Sequence, residues 1–584
     1  MLYNKKENIR YFQERILNWH ALCKRQFPWR NEKCPFKILL AEILLQRTDS
    51  HKVLTAYHQL ITKYQSPEDI YKNPDKLLSE FLLKLGLNYR IKRLKRISEI
   101  LVEKFAGIVP KKFEDLLLLP GVGPYIASAI SCFAYNKPKV LLDSNFLRLY
   151  KRFFGILTLS DRPYRDKLLK EYAYSVLPLD NARDYNYAIL DFSATICTPF
   201  NPKCICCPLI EGCKYQKKTF NRKEFLGMDL YAGAGGLSLG GLKAGLKIIY
   251  AFELDPKPAK TYEYNLPSVP VAKLRLKSEK VRETCDTLGI LPDKLDLIIA
   301  GPPCQGYSIS NLRTRNDLNP DNRAYKVFLK YVKYLKPKAV VIENVCGMET
   351  YKKGEVLNEI IKSLNSQGYT SKTYKLNALD FNIPQKRNRL FIVGIKNRKL
   401  PETMDYPDKR KITVGMAFSD LPKISNGNKQ DIQKYRLYGN SLNWYQKKMR
   451  EQDQKVAWNC SSTTSTDLIL KRFKIIPQGG NWKDLPKTLF NTYSKPENCH
   501  RWLYRRLSEN EPSITISNFR KNMLIHPHQD RTLTVREAAR LQGFHDTFIF
   551  WGNLHSQQQQ VANAVPPSMA AAVVKMVLSS LKGK

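Results

Sequence analysis

Four cysteines stand close together in CTPFNPKCICCPLIEGC, residues 197–213, with the spacing C-x6-C-x2-C-x5-C. Four thiolates within 17 residues can enclose one tetrahedral zinc ion or one cubane iron–sulfur cluster, and the spacing does not choose between them. Ordinary buried cysteines do not account for this density. Cys206 is a spare thiol inside the loop, and the four candidate ligands are Cys197, Cys204, Cys207 and Cys213.

A second stretch, LPGVGPYIASAI (residues 119–130), combines a glycine turn with the start of a helix. Backbone amides exposed by such a turn can hold a phosphate, and Gly121 and Gly123 allow the close approach that this needs. A simple joint between two helices is the alternative. Tyr125 lies one residue inside the helix, where a more reactive side chain could have stood.

A third group of residues lies at the ends of apolar, strand-like runs. Cys304 follows the run LDLIIA in GPPCQGYS, on a rigid Pro-Pro loop, and a thiolate there can add to an electrophilic carbon. Glu343 closes the next such run in ENV, and Arg387 and Arg389 lie in QKRNRLFIVG.

The stretch DLYAGAGGLSLGG, which begins at Asp229, predicts a strand, a glycine loop and a helix suited to a nucleotide-like cofactor. Ser238 occupies the last position of the G-x-G-x-x-G pattern, which disfavours a dinucleotide. Glu253 and Asp255 follow the next strand in FELDP, where an acidic side chain can bind ribose hydroxyls.

Two kinds of elements must position these groups. Residues 1–195 carry apolar positions at helical spacing, so this part is predicted to be all-α. After a polar join at 214–224, apolar runs alternate with helical stretches, which predicts a doubly wound α/β domain with a parallel sheet. Residues 396–505 have weak periodicity and are predicted to be irregular.

Length and charge narrow the function. With 584 residues, two or more domains are expected, and a formal net charge of +43, carried by both parts, indicates a polyanionic partner. Nucleic acid is the first candidate and an anionic membrane surface the second; a lysine-rich proteome is the alternative for part of the excess. No apolar run approaches the length of a membrane span and the N-terminus is too polar for a signal peptide, so an intracellular, soluble protein is expected.

The helical part resembles the iron–sulfur branch of the helix-hairpin-helix DNA glycosylases, the endonuclease III superfamily. The resemblance covers about residues 8–215 and rests on LPGVGPYIASAI, VLLDSNFLRLYKR and the four cysteines in that order. It implies a [4Fe–4S] cluster with a structural and DNA-binding role. It also implies that Asp143 stabilises the oxocarbenium-like sugar, with helix capping as the alternative role.

Three further residues take roles from the same resemblance. Glu42, in LLAEILLQRT, matches the glutamate that positions water or protonates the leaving base, although a lone glutamate on such a helix commonly marks its solvated face. Gln46 and Arg47 match the place from which side chains enter the gap left by a flipped base.

Tyr125 narrows the reaction within that family. Members that also cut the strand carry a lysine there, which forms a Schiff base with the sugar; a phenol cannot form that imine. The enzyme is therefore expected to be monofunctional, with water as the nucleophile, and Tyr125 resembles the thymine-mismatch glycosylases, which remove T or U opposite G. Adenine-mismatch relatives have a small residue at this position and an additional C-terminal domain that reads oxidised guanine.

The second part resembles the DNA cytosine-C5 methyltransferases over about residues 225–580. The resemblance rests on the glycine loop, GPPCQGYS, ENV, QKRNRLFIVG, RTLTVREAARLQGFHDTF and QVANAVPP in order. It implies S-adenosylmethionine as cofactor, with Cys304 adding to cytosine C6, Glu343 acting at N3, Arg387 steadying the flipped base and Arg389 supporting it. The implied cofactor positions are Tyr231, Ala232, Gly233, Ala234, Gly235, Gly236, Glu253, Asp255 and Asn563.

One stretch departs from the family pattern. After the third strand an acidic residue commonly contacts the adenine of the cofactor, but VPVAKLRLKSEKV (residues 269–281) offers lysines and an arginine. Weaker cofactor binding is expected, without loss of activity. The irregular region 396–505 matches the target recognition domain, which reads base edges in the major groove.

Together, these features predict a multidomain chain: a helix-hairpin-helix glycosylase with an iron–sulfur loop at 1–217, and a Rossmann-like methyltransferase at 225–584. The predicted function is bifunctional, because methylcytosine deaminates to thymine and leaves the T:G mismatch that the glycosylase would remove. The alternatives are fusion of the methyltransferase to an adenine-mismatch or methylcytosine glycosylase, or to a non-catalytic DNA-binding domain. The expected partner is double-stranded DNA, without a membrane, for a monomer in the nucleoid of a prokaryotic cytoplasm.

Overall fold

The structure is a computed structural model that describes residues 5–46, 48, 50–73, 88–156, 167–200, 202–215, 224–303, 323–490, 502–517, 519 and 523–582. The chain divides into two compact units. The first comprises Met1–Phe220 with Cys285–Ile290, and the second comprises Asn221–Thr284 with Leu291–Lys584.

The regular elements described before residue 224 are all helical, which confirms the all-α prediction for the described part of this unit. Helix α2 packs against α7, and α10 packs against both α1 and α8. The α-helices are α1 (Lys5–Cys23), α2 (Pro35–Leu45), α3 (Ser50–Lys63), α4 (Pro67–Lys72), α5 (Asn88–Phe105), α6 (Phe113–Leu116), α7 (Pro124–Phe133), α8 (Ser144–Phe154), α9 (Lys167–Val176) and α10 (Ala182–Thr195).

Two of these helices show how local sequence fixes the site. Pro124 opens α7, where its missing amide hydrogen is not needed, and Gly121 turns the chain ahead of it with φ of +77°. Asp143 caps the N-terminus of α8, and Gly155 ends that helix in the left-handed conformation, with φ of +70°. Both helices therefore begin at residues that the sequence analysis assigned to DNA binding or catalysis.

The second unit is built on a seven-stranded sheet with strand order β3-β2-β1-β4-β5-β8-β6. Two further pairs of short strands lie outside it, β9 with β10 and β7 with β11. The strands are β1 (Phe225–Leu230), β2 (Leu246–Phe252), β3 (Val271–Ala272), β4 (Leu297–Ala300), β5 (Ala339–Asn344), β6 (Tyr369–Asn377), β7 (Gln385–Lys386), β8 (Asn388–Lys396), β9 (Gln433–Lys434), β10 (Val456–Ala457) and β11 (Ser513–Ile514).

The sheet is mixed, so the prediction of a parallel sheet is wrong for one strand, β8, which runs against all the others. Strands β3, β2, β1, β4 and β5 run parallel, but β8 is antiparallel to both β5 and β6. The reason is the connection after β6, which has no crossover helix and returns the chain directly alongside β6. The order reverses between β1 and β4, and ligands bind at the carboxyl ends of the strands at such a switch point.

The helices after residue 224 cover the sheet and form the irregular region. They are α11 (Gly236–Lys243), α12 (Pro256–Asn265), α13 (Val281–Leu288), α14 (Ala324–Leu335), α15 (Glu355–Ser366), α16 (Val414–Phe418), α17 (Trp444–Met449), α18 (Asp467–Ile475), α19 (Lys487–Phe490), α20 (Val535–Leu541), α21 (Leu554–Asn563) and α22 (Pro567–Lys582). Between 396 and 505 the described residues form four short helices and two two-residue strands, as the weak periodicity predicted.

By length and composition alone, Leu554–Lys582 could cross a membrane, because an 18-residue window in it has a mean hydropathy of 1.5. The expectation that no apolar run approaches that length is therefore not met. However, 67% of the window is buried. Helix α22 packs closely on α11, and a Cβ on Gly240 would lie 2.4 Å from that of Ala570, so these apolar side chains belong to the core of the unit.

Candidate active sites

Glu42 lies on helix α2 among buried apolar side chains, and only 7% of its surface is exposed. The alternative of a solvated helix face is therefore wrong. Burial raises the pKa of its carboxyl group to about 7; Arg30 opposes this shift and Asp143 adds to it. A carboxyl group with such a pKa can hold and release a proton near neutral pH, as a general acid must.

Asp143 is held by three hydrogen bonds. Its Oδ1 accepts from the amides of Asn145 and Phe146, both at 2.9 Å, and its Oδ2 accepts from Asn145 Nδ2 at 2.7 Å. The capping role is thus real. Burial nevertheless raises the pKa of Asp143, and the charge of Asp143 contributes to the raised pKa of Glu42. The cap and a catalytic carboxylate can therefore be the same group.

Tyr125 is half-buried at the start of α7 and belongs to the same site. Burial raises the pKa of its hydroxyl well above the usual value, and the charges of Glu42 and Asp143 raise it further. Three side chains predicted from separate motifs thus come together. A phenol that keeps its proton can donate a hydrogen bond, but it cannot act as the amine nucleophile of a lyase.

Sequence reasoning missed Arg30, whose positive charge opposes the rise in the pKa of Glu42. Its guanidinium pairs with buried Asp191 through Nη1–Oδ2 at 2.5 Å and Nη2–Oδ1 at 2.6 Å, and it lies 4.7 Å from the ring centroid of Tyr187. Asp191 sits on α10 in the apolar stretch YAILDFSAT, so an acidic residue inside an apolar helix was the available signal. Its partner could not be read from spacing.

A chain of hydrogen bonds joins Asp143 to the four-cysteine loop. Asn145 Nδ2 donates to Asp143, Arg148 Nη2 donates to Asn145 Oδ1 at 2.9 Å, and Arg148 Nε donates to the carbonyl of Cys197 at 2.9 Å. Asn145 and Arg148 lie one turn apart on α8, which places both on the same face. The spacing N-x-x-R was the signal, and the sequence analysis did not use it.

The four predicted ligands line one space of about 330 Å³, which includes some open solvent. Burial, followed by the neighbouring charges of Cys197 and Cys213, raises the pKa of Cys204 to about 11, so these thiols lie within each other's field. Arg152 fixes the loop through its bonds to the carbonyls of Thr198 and Pro199, at 2.7 and 2.9 Å.

A set of four thiols around one space suits a metal centre by its donor chemistry. In the described part of the chain, however, no group of three or more His, Cys, Asp or Glu side chains has the arrangement of a metal site. The four thiols line one space and have the donor chemistry of a cluster, but they are not arranged as a formed metal site. Cys206 is buried, and its thiol faces the carbonyl of Lys203 at 3.5 Å.

The hairpin predicted to bind phosphate is held by two polar side chains. Gln46 Nε2 donates to the carbonyl of Gly121 at 2.9 Å, and Arg93 Nη1 donates to Gln46 Oε1 at 2.8 Å. The Gly123 amide precedes α7, and a Cβ there would meet nothing within 4 Å. Insertion of Gln46 into DNA stays a prediction, and Arg47 lies outside the described residues.

In the second unit, the predicted cofactor positions follow β1 and β2. The amide of Gly233 donates to Glu253 Oε2 at 2.9 Å, and the amide of Asp255 donates to Glu253 Oε1 at 2.7 Å. Asp255 caps α12 through the amide of Lys257, at 2.9 Å. Glu253 is therefore oriented at the carboxyl edge of the sheet. A Cβ on Gly233 would meet nothing within 4 Å, so the loop offers the open approach that S-adenosylmethionine requires.

The rest of the loop is built from small, closely packed residues. Gly235 has φ of +94°, and a Cβ on Gly236 would lie 2.4 Å from the carbonyl oxygen of Val565. Ala232 and Ala234 are buried beside them. Beneath the loop, Ser238 Oγ donates to Asp229 Oδ2 at 2.5 Å, and burial raises the pKa of Asp229 to about 7.

The lysine-rich departure after β3 has a specific partner. Lys273, the residue after β3, forms an ion pair with Glu263 of α12, and both side chains are largely buried. The positive charge of Lys273 is therefore compensated within the protein. Its effect on cofactor affinity stays a prediction.

Glu343 is the last residue but one of β5, and Arg389 of β8 forms an ion pair with it, Nε to Oε1 at 2.8 Å. Burial raises the pKa of Glu343, while Arg389 and then Arg387 oppose the shift. Glu343 Oε2 lies 3.8 Å from where a Cβ on Gly301 would be, next to the Pro-Pro loop. Cys304, on that loop, lies outside the described residues.

The two predicted arginines have different surroundings in the structure. Arg387 is completely buried and donates to the carbonyls of Ile516, Ala562 and Ala564, at 2.7 to 3.1 Å. The last two residues flank the exposed Asn563, so Arg387 supports the predicted cofactor residue. Arg389, predicted only as a support, is the arginine that contacts Glu343. Side-chain burial of this kind cannot be read from a motif.

Comparisons with known proteins divide the chain in the same way. Residues 225–579 match the family model of the C-5 cytosine-specific DNA methylases, and residues 40–173 match that of the HhH-GPD superfamily of base excision DNA repair proteins. The type II methyltransferase M1.HphI of Haemophilus parahaemolyticus is 34% identical over 60% of this chain and 86% of its own length.

The helical unit has a relative of its own. A thymine/uracil-DNA glycosylase of Methanothermobacter thermautotrophicus is 37% identical over 37% of this chain and 96% of its own length. Among solved structures, a prophage-encoded E. coli protein assigned as a DNA modification methyltransferase superposes with a TM-score of 0.51 at 25% identity, covering 62% of this chain and all of that one.

Proposed function

Because the chain belongs to the C-5 cytosine-specific DNA methylases and also to the HhH-GPD superfamily of DNA repair proteins, we propose that it both makes methylcytosine and repairs its deamination product. The methyltransferase would act on one cytosine of a defined DNA sequence, with S-adenosylmethionine as cofactor. The glycosylase would remove T or U opposite G. The combination of the two activities is supported above all by one observation, that Glu42, Asp143 and Tyr125 lie together in one site. Such a site suits base excision without strand cleavage.

In the methyltransferase, the residues activate the base. The thiolate of Cys304 adds to cytosine C6, while the Glu343 carboxyl group binds N3 and draws charge from the ring, with Arg389 holding that carboxyl group in place. C5 becomes nucleophilic as a result. S-adenosylmethionine would be held along Gly233 and Glu253 and would supply the methyl group, leaving as S-adenosylhomocysteine. A solvent water takes the C5 proton while the bond between the sulfur and C6 breaks, which releases the Cys304 thiolate and restores the aromatic ring.

In the glycosylase, the two carboxyl groups have different tasks. Glu42 donates its proton to the departing base as the C1′–N bond breaks, and the Asp143 carboxylate stabilises the positive charge that develops on the sugar. Water then adds its hydroxyl to C1′, and its proton restores the Glu42 carboxyl group. Tyr125 donates hydrogen bonds in this site and forms no covalent bond to the sugar. The product is an abasic site.

The cysteine loop has a structural task in this proposal. Cys197, Cys204, Cys207 and Cys213 would hold a [4Fe–4S] cluster, since they line one space and supply the thiolate donors that such a cluster takes. The net positive charge of both units favours binding to double-stranded DNA, and binding should weaken with salt by a slope of about −0.9 for each phosphate contacted.

The test uses two single variants of the full chain, each as the control for the other. Asp143→Asn should lose excision of T from a T:G duplex and keep methylation, and Cys304→Ser should lose methylation and keep excision. Bisulfite sequencing of DNA from the expressing host gives the methylated motif, into which T:G, U:G, A:G and methylcytosine:G pairs are then built. Unchanged excision in the Asp143 variant, or preferential release from A:G or methylcytosine:G, would overturn the assignment.

A further inference from the structure

Tyr231, the residue that follows β1, has an unusual backbone conformation. Its φ is +61°, in the left-handed region, where a side chain bearing a Cβ is disfavoured. Such a conformation is unfavourable for a residue other than glycine and is kept only where neighbouring contacts impose it. Sites that keep this strain are commonly functional, so the contacts of Tyr231 indicate what the conformation is for.

The contact that holds Tyr231 is made by its hydroxyl. Tyr231 Oη donates to the carbonyl of Ala324 at 3.0 Å, and Ala324 is the first residue of helix α14. Burial raises the pKa of this hydroxyl, so it remains protonated and able to donate. The aromatic ring thus connects the start of the cofactor loop to the N-terminus of a helix that is remote in sequence.

The backbone of Tyr231 borders both halves of the methyltransferase site. The next two amides donate to the strand β2 edge: Ala232 to the carbonyl of Phe252 at 2.9 Å and Gly233 to Glu253 Oε2 at 2.9 Å. A Cβ placed on Gly301 would lie 3.9 Å from the carbonyl oxygen of Tyr231 and 3.8 Å from Glu343 Oε2. The carbonyl of Tyr231 and the carboxyl group of Glu343 therefore both border Gly301.

From this geometry, we propose that Tyr231 is a positioning residue of the methyltransferase. Its hydroxyl, bound to Ala324, holds the left-handed turn that directs the Gly233 amide at Glu253 and places its own carbonyl beside Gly301. The inference rests on the proposed function in one respect, that this edge of the sheet binds S-adenosylmethionine. A phenylalanine could fill the same space, but it could not make the bond to Ala324.

The test is Tyr231→Phe in the full chain, which removes one oxygen atom. Tyr369→Phe is the matched control, because Tyr369 Oη also donates to a backbone carbonyl, that of Pro337, at 2.6 Å. Pro337 precedes β5 and so lies at the amino ends of the strands, whereas the cofactor loop follows the carboxyl end of β1. Calorimetric titration with S-adenosylhomocysteine measures cofactor-site affinity without turnover. Loss of one such hydrogen bond predicts about three- to tenfold weaker binding in Tyr231→Phe and unchanged binding in Tyr369→Phe.

A kinetic readout separates positioning from general stability. In Tyr231→Phe, KM for S-adenosylmethionine should rise by the same factor, while excision of T from T:G stays at the wild-type rate. Wild-type affinity in Tyr231→Phe, or equal weakening in both variants, would overturn the inference. If the wild-type chain bound no S-adenosylhomocysteine and methylated no DNA, the proposed function would fail first, and this inference would fall with it.

Discussion

Glu42 of the helical unit and Glu343 of the sheet unit are both buried carboxyl groups beside an arginine, but the arginine is used differently. The guanidinium of Arg30 forms two short hydrogen bonds to Asp191 and acts on Glu42 through its electrostatic field. Arg389 instead pairs directly with Glu343 at 2.8 Å. Burial raises the pKa of both carboxyl groups, but only Glu343 is held by a cation in contact with it.

This difference matches the two tasks. A group that must give a proton to a departing base needs a pKa near the working pH and no permanent partner, and within the described residues no ion pair holds Glu42. A group that must hold one edge of a flipped base needs a fixed orientation, which an ion pair to Arg389 supplies. The arrangement of the neighbouring cation therefore tells more about the role of each glutamate than its residue type does.

The largest effect on activity should follow from removing the negative charge of Glu343, which pairs with Arg389. Glu343→Gln leaves Arg389 buried beside a neutral amide and removes the group that acts at N3, so methyl transfer should fall about 10³-fold. Excision of T should be unchanged, because the two sites are built from different elements. Radiolabelled methyl transfer and T:G excision, measured on the same preparation, check both statements. A loss of less than tenfold would contradict the role of Glu343.

The second prediction sharpens the comparison through pH. The pKa of Glu42 is raised to about 7, so its proton is present below that pH and is lost above it. Single-turnover excision should therefore fall about tenfold for each pH unit above 7. Glu42→Gln should lower the rate about 10²-fold below pH 7 and remove this alkaline limb. Its methylation rate at each pH serves as the control.

The outcome also bears on stability. Because folding raises the pKa of Glu42, the protonated form is favoured in the folded state, and this contribution is lost as the pH rises through about 7. The unfolding temperature of the wild-type chain should therefore fall more than that of Glu42→Gln as the pH rises from 4.5, the ordinary pKa of a glutamate, to about 7. An alkaline limb that persists in Glu42→Gln would show that another group supplies the proton.

What could be predicted from the sequence was local. Asp143 caps a helix through amides two and three residues away, and the glycine turns and the cysteine spacing are set within short segments. Arg30, in contrast, meets Asp191 across 161 residues, and nothing in either neighbourhood specifies the other. The burial of Arg387 could not be predicted for the same reason, since it depends on which backbone carbonyls the whole fold brings to its guanidinium group.

The direction of the strands shows the same limit at a larger scale. Apolar runs ending in loops correctly predicted strands with the site at their carboxyl ends. They did not predict that β8 would enter between β5 and β6, because pairing and direction depend on the connection and not on the apolar pattern. The predicted cofactor residues and Glu343 lie on or directly after the parallel strands, whereas Arg389, which pairs with Glu343, lies on the reversed strand β8.

The smallest predicted effect concerns the helical unit, where a chain of hydrogen bonds runs from Asp143 through Asn145 and Arg148 to Cys197. Arg148→Ala removes its centre, so Asp143 keeps its charge but loses part of its orientation, and excision should fall about tenfold.

Arg152→Ala is the matched control for this prediction, because Arg152 lies one turn further along α8 and binds the same loop through Thr198 and Pro199. Among the described residues, Arg152 forms no hydrogen bond with Asn145, so Arg152→Ala can loosen the loop while the support of Asp143 stays intact. Iron content and visible absorbance report the loop, and single-turnover excision reports Asp143. If Arg148→Ala lowers excision at full iron content while Arg152→Ala does not, the support runs through Asn145; equal losses in both variants would assign the effect to the loop alone.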